Sequence, residues 1–391
     1  MAAVKVNRRA AISLRSGHVW VYSSDVEDRG EAAPGDAVRV LAPDGGLLGT
    51  AHYSSTSEIA LRLLSRNAAV IGREFFQRRL AAAIAFRRRA VSGSDACRLV
   101  HAEGDRLPAL IIDRYGDFLS IQTLSQGMDR AKSDIAACLE ELVSPRGIAE
   151  RNDAKRRERE SLPLTSGILR GQVPERVEFR MNNLTFEADL LGGQKTGAFL
   201  DQRENYLAAA RWAHGRALDC FTSAGGFALH LAARCDSVEG VDSSESALAA
   251  ARRNRDRNGI GNVEFRRAGV FELLAGYAVT GRRFSTVVLD PPAFAKSRAA
   301  VRSALEAYRQ INYRALQLLE PGGVLVTCSC SYHVTEEALR DVVNAAAAEL
   351  GATLRLLERR GQSLDHPVLL GVPETLYLKC LILEVMVDGS G

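Results

Sequence analysis

Hydrophobic and polar residues follow three different patterns along the 391-residue chain. Up to about residue 70, short apolar runs alternate with turn residues, which predicts a small β-barrel. A helical pattern and strand-like runs between about residues 71 and 180 indicate a compact α+β unit. Beyond residue 181, apolar strands alternate with helices, which predicts a doubly wound α/β domain on a parallel sheet. We therefore expect three domains, at residues 1–70, 71–180 and 181–391.

Two segments do not follow these three patterns and are considered separately. The last two strand-like runs, at 353–357 and 377–385, are separated by a turn-rich loop, and we expect them to form an antiparallel pair at the edge of the sheet. Residues 151–160 (RNDAKRRERE) are almost wholly charged. Because such a segment has little apolar surface to bury, we expect it to be a solvated loop.

Charge and cysteine usage narrow the function classes. Residues 1–90 contain 14 Lys or Arg and 8 Asp or Glu, while the whole chain has a net charge of +4. This local surplus could attract a polyanion, and a solvated basic face without a partner is the alternative. The seven cysteines are sparse and odd in number, which predicts free thiols in a reducing cytoplasm. No apolar run approaches the length of a membrane span, so we expect neither membrane insertion nor export.

The first strand of the α/β region leads into a loop of small residues, L-D-C-F-T-S-A-G-G-F at 218–227. Such a loop at the carboxyl end of a parallel strand is where open α/β sheets bind nucleotides. Asp242 closes the next strand, where a carboxylate can accept both hydroxyls of a ribose, and Ser243 or Ser244 would cap the following helix. The spaced glycines of G-x-G-x-x-G are missing, which disfavours NAD and FAD. Asp219 and Asp242 could each be a mere capping acid, but together they favour an adenosine-containing ligand.

Two prolines follow the fourth parallel strand in L-D-P-P-A-F at 289–294. They fix a rigid turn without backbone donors, and Asp290 before them is aimed into the crevice. Asp290 could hydrogen-bond the ring or the amine of a base, and Phe294 could stack on it. The alternative is that the prolines simply terminate a strand.

The fifth strand of the region runs into T-C-S-C-S at 327–331. A thiol at this rim could serve as a nucleophile. Cys328 and Cys330 could instead be small core residues, as most cysteines are. We expect no metal site, because C-x-C lacks a second ligand pair at the usual spacing.

These elements, in this order, resemble the class I S-adenosylmethionine-dependent methyltransferases. K-T-G-A-F-L-D-Q-R at 195–203, together with the three motifs above, is similar to the bacterial 23S (large-subunit) ribosomal RNA 5-methylcytosine methyltransferase I family. G-H-V-W-V-Y-S at 17–23 resembles that family's N-terminal PUA domain, an RNA-binding barrel. The resemblance implies a seven-stranded Rossmann-like methyltransferase domain, preceded by the barrel and a central α+β domain. It also implies S-adenosylmethionine as cofactor and RNA, specifically 23S ribosomal RNA, as partner.

The resemblance assigns roles residue by residue. It implies Cys330 as the nucleophile that adds to carbon 6 of cytosine, Cys328 as the alternative, and Asp290 as the group that stabilises the activated ring. The implied cofactor-binding residues are Lys195, Thr196, Phe199, Asp219, Cys220, Phe221, Thr222, Gly225, Asp242, Ser243 and Asp290. The implied substrate-binding residues are Gln202, Arg203, Pro291, Pro292 and Phe294.

One position departs from the family pattern. Gly269 stands where the family usually has an acid that contacts the adenine amine, which implies weaker cofactor binding by about 1.5–3 kcal/mol. Two other functions therefore stay open: methylation of an exocyclic base amine, and a non-catalytic RNA-binding or ribosome-assembly protein with a decayed cofactor pocket. For oligomeric state, a homodimer is the default expectation.

Overall fold

A computed structural model describes residues 1–193, 198–295 and 297–387. The chain divides into two compact units, which differ from the three predicted domains in how they group the residues. The first unit contains Met1–Asn183, Glu187–Leu200 and Leu364–Thr375. The second contains Leu184–Phe186, Asp201–Ser363 and Leu376–Gly391. The predicted domain bounds near residues 70 and 180 stay predictions.

The first unit begins with a sheet of short strands, as the turn-rich sequence predicts. Its strands are β1 (Ala3–Val6), β2 (Trp20–Tyr22), β3 (Val26–Asp28), β4 (Ala37–Leu41), β5 (Leu47–Tyr53) and β6 (Ile59–Ser65). Over the described residues the strand order is β2-β6-β5-β4-β1-β3. Alternation in β4 buries Val38 and Val40, which join the core beneath this sheet. A helix that the sequence pattern did not predict, α1 (Arg8–Arg15), begins where the side chain of Asn7 accepts from the Ala10 amide.

A second sheet follows in the same unit, with helices packed on it. Its strands are β7 (Ala96–His101), β8 (Leu110–Tyr115), β9 (Phe118–Thr123), β10 (Gly147–Asn152) and β11 (Thr165–Gly171), in the order β11-β10-β9-β8-β7. The helices are α2 (Arg73–Ala90), α3 (Gln126–Arg130) and α4 (Lys132–Val143). Apolar side chains of α2 and α4 share one core with β7, β8, β9 and β10. This is the α+β arrangement that the sequence predicts for the central region.

The expectation of a solvated loop at 151–160 is wrong. Its first residues complete β10, and Lys155–Glu160 form a 3-10 helix. Arg157 and Glu160 are each only 1% exposed. The carboxylate of Glu160 accepts from Arg62 (2.7 Å) and from the Ser54 hydroxyl (2.6 Å), both on or near β6. The partners of the Glu160 carboxylate lie about a hundred residues earlier in the chain. The charge pattern within residues 151–160 therefore could not reveal that this segment is buried.

The second unit is the predicted doubly wound domain. A two-stranded hairpin of β12 (Val177–Met181) and β13 (Leu184–Ala188) comes earlier in the chain, and β12 belongs to the first unit. The main strands are β14 (Arg216–Cys220), β15 (Ser237–Asp242), β16 (Val263–Arg267), β17 (Phe284–Leu289), β18 (Leu319–Ser329), β19 (Leu354–Arg360) and β20 (Lys379–Val385). The helices are α5 (Arg203–Trp212), α6 (Gly226–Leu231), α7 (Glu245–Arg257), α8 (Val270–Val279), α9 (Val301–Leu318) and α10 (Glu336–Glu349).

The order of the main sheet, over the described residues, is β16-β15-β14-β17-β18-β20-β19. The strands β14 to β18 are parallel to one another, and β20 lies antiparallel between β18 and β19. The predicted antiparallel pair at the edge is therefore confirmed. Helices α8, α9 and α10 bury their apolar faces in one core with β14, β17, β18 and β20. This topology brings the carboxyl ends of β14, β15, β17 and β18 to one rim.

In the part of the chain that the structure describes, no helix combines the length and the apolarity needed to cross a membrane.

Candidate active site

Asp219 near the end of β14 is fully buried. Its Oδ2 accepts from the Thr222 hydroxyl (2.5 Å) and from the Ala228 amide (2.9 Å) in the first turn of α6. Its Oδ1 is buried and accepts no hydrogen bond from the described residues. Burial raises the pKa of this carboxyl to about 7, and the neighbouring Asp290 and Asp242 carboxylates act in the same direction. The open oxygen is suited to a cationic donor that enters the site.

The loop after β14 has an uncommon backbone. Phe221 (φ 64°) and Ser223 (φ 51°) both adopt the left-handed region, which L-residues other than glycine seldom occupy. Gly225 (φ 87°) is the N-cap residue of α6. Beside the loop, a Cβ on Gly240 of β15 would lie 2.7 Å from the Phe265 ring. The small residues thus keep side chains out of the space at this rim.

Asp242 at the end of β15 is fixed by backbone amides. Its Oδ2 accepts from Ser223 N (3.0 Å) and its Oδ1 from Ser244 N (2.9 Å). Each carboxylate oxygen has a second lone pair, so both can still accept a ligand hydroxyl. Ser244, one of the two serines predicted to cap α7, is the N-cap residue, and its hydroxyl accepts a hydrogen bond from Ala247 N (3.3 Å). The other, Ser243, accepts a hydrogen bond from the Arg267 side chain with its backbone oxygen.

Asp290 directly follows β17 and is half-buried. Its Oδ1 accepts from the buried Gln202 side chain (3.0 Å), whose own Oε1 accepts from Asn205 of α5 (2.6 Å). The Asp290 amide donates to the Cys220 oxygen at the end of β14 (3.4 Å). A chain of side-chain amides therefore helps to hold the carboxylate in place.

The remaining predicted substrate residues lie in different environments. Arg203 is 2% exposed and its guanidinium lies 3.3 Å from the Glu204 carboxylate. Pro291 is buried and Pro292 is exposed. Phe294 is partly buried and packs on the Tyr308 ring, with centroids 4.8 Å apart.

The two thiols of T-C-S-C-S differ in their surroundings. Cys328 is fully buried and pairs in register with Cys380 of β20. Burial raises the pKa of the Cys328 thiol well above its usual value, and Cys380 adds to the effect. Cys330 is half-buried, and its Sγ lies 4.0 Å from the backbone oxygen of Pro291, the residue after Asp290. The partly accessible thiol is therefore the one beside the D-P-P turn.

Ser331, which follows β18, is hydrogen-bonded to the segment after β17 and to β20. The sequence analysis did not predict this role. The Ser331 hydroxyl accepts from the Ala295 amide (3.1 Å) after the D-P-P turn and contacts the Tyr308 hydroxyl of α9 (3.2 Å). Its backbone oxygen accepts from the Lys379 ammonium of β20 (2.7 Å). In the sequence, only its position in the T-C-S-C-S motif points to a role for Ser331. No motif in the sequence points to Tyr308 or Lys379 as residues of this site.

Three predicted cofactor positions cannot be placed in this site. Lys195 and Thr196 lie outside the described residues, and Phe199, half-buried, belongs to the first unit. Gly269 is the residue before α8, and a Cβ there would lie 2.3 Å from Oε2 of the exposed Glu272. Both residues line a cleft of about 440 Å³ between the end of β16 and α8.

Two family models match the chain. A PUA-like domain matches residues 4–66, and the S-adenosylmethionine-dependent methyltransferase family matches residues 155–378, more than half of the chain. The chain belongs to the S-adenosylmethionine-dependent methyltransferases. This methyltransferase therefore has the barrel and the catalytic fold that its motifs predict.

Relatives of this methyltransferase support the same family. Ribosomal RNA large subunit methyltransferase I of Shewanella amazonensis is 39% identical, over 95% of this chain and 96% of that protein. The protein of that name from Klebsiella pneumoniae (strain 342) is 37% identical, over 96% of each chain. Among solved structures, SMU.776 complexed with SAH aligns with a TM-score of 0.85 at 19% identity, over 98% of this chain and 100% of that chain. The resemblance inferred from the motifs is confirmed.

The rim fits the cofactor of this family. The unpartnered Oδ1 of Asp219 suits the ammonium of a methionine moiety, and Asp242 suits the hydroxyls of a ribose. S-adenosylmethionine has both of these groups, so the residues present match it.

Proposed function

We propose that this methyltransferase methylates carbon 5 of a cytosine in RNA through a covalent cysteine adduct, with 23S ribosomal RNA as its substrate. The observation that carries the chemistry is the half-buried Cys330 sulfur beside Pro291, one residue after Asp290. The proposed substrate rests on the names of the two relatives, which are similar over nearly their full length.

The chain's own residues suffice for base activation. The Cys330 thiolate adds to carbon 6 of the cytosine, so an S–C6 bond forms and electron density moves to carbon 5. Asp290 bonds the ring at N3 or at the amine and stabilises that charge. Bound S-adenosylmethionine supplies the electrophilic methyl group. After the methyl joins carbon 5, the carbon-5 proton passes to water, its electron pair forms the C5–C6 double bond, and the S–C6 bond breaks, which regenerates the thiolate.

Burial favours Cys330 over Cys328 as the nucleophile. Cys328 lies inside the sheet and its thiol resists ionisation, whereas Cys330 stands at the rim. A thiolate must form and must reach a base, and burial opposes both for Cys328.

The other assignments complete the proposed site. Around the cofactor we propose Lys195, Thr196, Phe199, Asp219, Cys220, Phe221, Thr222, Gly225, Asp242 and Ser243. Around the RNA we propose Gln202, Arg203, Pro291, Pro292 and Phe294. Arg203 is nearly fully buried, so its proposed effect on RNA is through the shape of the α5 terminus.

We further propose that the PUA-like residues 4–66 contact the RNA backbone. Helix α1 carries Arg8, Arg9 and Arg15 without an acidic residue, and Arg8 and Arg15 are exposed. A homodimer also stays a proposal.

Two matched variants test the nucleophile. Each of Cys330→Ala and Cys328→Ala is incubated with S-adenosylmethionine in two reactions. One contains ribosomal RNA with 5-fluorocytidine, which traps the covalent adduct, and the other contains unmodified ribosomal RNA, in which the methylated product is measured. We expect Cys330→Ala to lose both adduct and 5-methylcytidine by nucleoside mass spectrometry, and Cys328→Ala to retain both. Adduct formation by Cys330→Ala would refute the assignment. A methylated exocyclic amine in the wild-type product would establish the base-amine reaction instead.

A further inference from the structure

Lys379 is a buried lysine that the proposed reaction does not use. It begins β20 in register with Ser329, and it is 6% exposed. Its ammonium donates to the backbone oxygens of Ser331 (2.7 Å) and Tyr377 (2.9 Å). Among the described residues, Cys330 is the group whose charge acts on this ammonium, and no carboxylate does so. A buried cation is costly without a counter-ion, so this site is suited to an anion that forms beside it.

The Cys330 thiolate is such an anion. The oxygen that Lys379 binds belongs to the residue directly after Cys330, so the ammonium lies next to the backbone of the cysteine motif. The Cys330 sulfur itself lies beside the D-P-P turn that carries the Asp290 carboxyl group. A neighbouring carboxylate opposes ionisation of a thiol, whereas a neighbouring ammonium favours it.

We propose that Lys379 is the cationic partner of the Cys330 thiolate and a positioning residue for the proposed nucleophile. This inference rests on the proposed function. When the thiol ionises, its proton leaves to solvent, the S–H electron pair stays on sulfur, and Lys379 keeps its three protons. The bonds to the two carbonyl oxygens fix the ammonium, so that its charge acts at a constant position.

The charged groups around the thiol set the direction of the effect. Among the described residues, the titratable groups near it are Asp290 after β17, Tyr308 on α9 and Lys379 on β20. Cys328 and Cys380 are buried where β18 pairs with β20. Burial lowers the pKa of Lys379 to about 8, and the Cys330 thiolate opposes that decrease. The interaction is mutual, so the ammonium favours the thiolate. Lys379 is still mostly charged at neutral pH.

The test measures thiol reactivity in the full-length protein without RNA or cofactor. Iodoacetamide alkylation of Cys330 is followed by mass spectrometry from pH 5.5 to 10, with the rate at each pH giving the ionisation midpoint. The variants are Lys379→Gln, which keeps two donors without the charge, Lys379→Arg, which keeps the charge, and Lys155→Met, which removes an exposed lysine of the first unit.

We expect Lys379→Gln to raise the midpoint by about one pH unit and to slow alkylation at pH 7 by about tenfold. Lys379→Arg and Lys155→Met should keep the wild-type midpoint. An unchanged midpoint in folded Lys379→Gln, or an equal increase in Lys379→Arg, would overturn the inference. If these variants fail to fold, a wild-type midpoint at or above about 8.5, the ordinary thiol value, would overturn it as well. Because the assay involves no methyl transfer, its result is independent of the adduct experiment.

Discussion

At the scale of single residues, the site depends on where polar atoms are left without partners. Asp219 receives two hydrogen bonds on one oxygen and none from the described residues on the other. Such an arrangement is costly in the folded protein unless a ligand completes it. Burial accordingly raises the pKa of the Asp219 carboxyl to about 7.

The raised pKa of Asp219 predicts how cofactor binding varies with pH. Below pH 7 the carboxyl is mainly neutral, and above it the carboxylate attracts the ammonium of S-adenosylhomocysteine. The affinity should therefore rise about tenfold between pH 6 and pH 8 and then level off. Asp219→Asn should bind weakly with a flat profile. Isothermal titration calorimetry at several pH values measures both.

Asp242→Asn is the matched control, because it removes a carboxylate from the same rim. It should weaken binding and keep the wild-type pH dependence. A flat profile in the wild-type protein would contradict the role of Asp219. No binding at millimolar S-adenosylhomocysteine would indicate a decayed pocket, the consequence first considered for Gly269.

The residues at the rim were predictable to the extent that chain order determines them. Parallel strands end at one edge, so Asp219, Asp242, Asp290 and Cys330 could be grouped from the sequence alone. Lys379 could not be, because β20 is antiparallel and reaches the rim with its first residue, 48 positions after the Ser331 oxygen that it binds.

At the scale of elements, strands and helices were predicted best where a single periodicity dominated. Strands β14, β15, β17 and β18 are largely buried runs, and Asp242, Asp290 and the cysteine motif stand at the strand ends where the sequence predicts them. The 3-10 helix Lys155–Glu160 was missed because its stability comes from non-local pairs. Local charge density says nothing about a partner such as Arg62, distant in the chain but adjacent in the fold.

The buried pair of Arg62 and Glu160 predicts a large stability effect. Glu160→Gln removes the charge that neutralises Arg62, which is 7% exposed. The free energy of unfolding of the first unit should fall by about 3 kcal/mol, because a buried guanidinium is left unpaired. Urea denaturation followed by circular dichroism gives the change in midpoint.

Glu158→Gln provides the comparison, since Glu158 lies exposed in the same 3-10 helix. It should leave the midpoint nearly unchanged. Replacing both members of the pair with leucine should recover part of the loss, as the uncompensated charge is then gone. Equal effects of Glu160→Gln and Glu158→Gln would show that the pair contributes little.

At the scale of the whole molecule, the surplus of basic residues and the proposed catalytic site lie in different parts of the chain. The basic surplus lies in residues 1–90, and the proposed chemistry lies at the rim of the second unit. The sequence predicted this division, since both features are matters of composition and chain order. Which nucleotide is modified depends on RNA shape, which leaves no motif in the chain.

The basic helix α1 predicts a salt-dependent contribution to RNA affinity. Arg8→Glu combined with Arg15→Glu should weaken RNA binding about tenfold at low salt and reduce the slope of log affinity against log salt by about 2. Filter binding over a range of salt concentrations measures both. The melting temperature should not change, because both side chains are exposed.

Arg302→Glu combined with Arg340→Glu is the control, since these exposed arginines lie on α9 and α10 of the second unit. This variant has the same net charge and should keep the wild-type slope. If both pairs reduced affinity equally, the effect would belong to net charge alone and α1 would have no special role.

The position of β20 has a consequence for protein synthesis. This strand is encoded near the end of the chain, yet it lies inside the sheet and pairs with β18. While the ribosome is still translating, β18 has β17 on one side and an open edge on the other. The cysteine motif thus obtains its full surroundings only when residues 379–385 have emerged. A nascent chain that stops before residue 379 lacks this strand, so we expect no methylation until residues 379–385 have emerged.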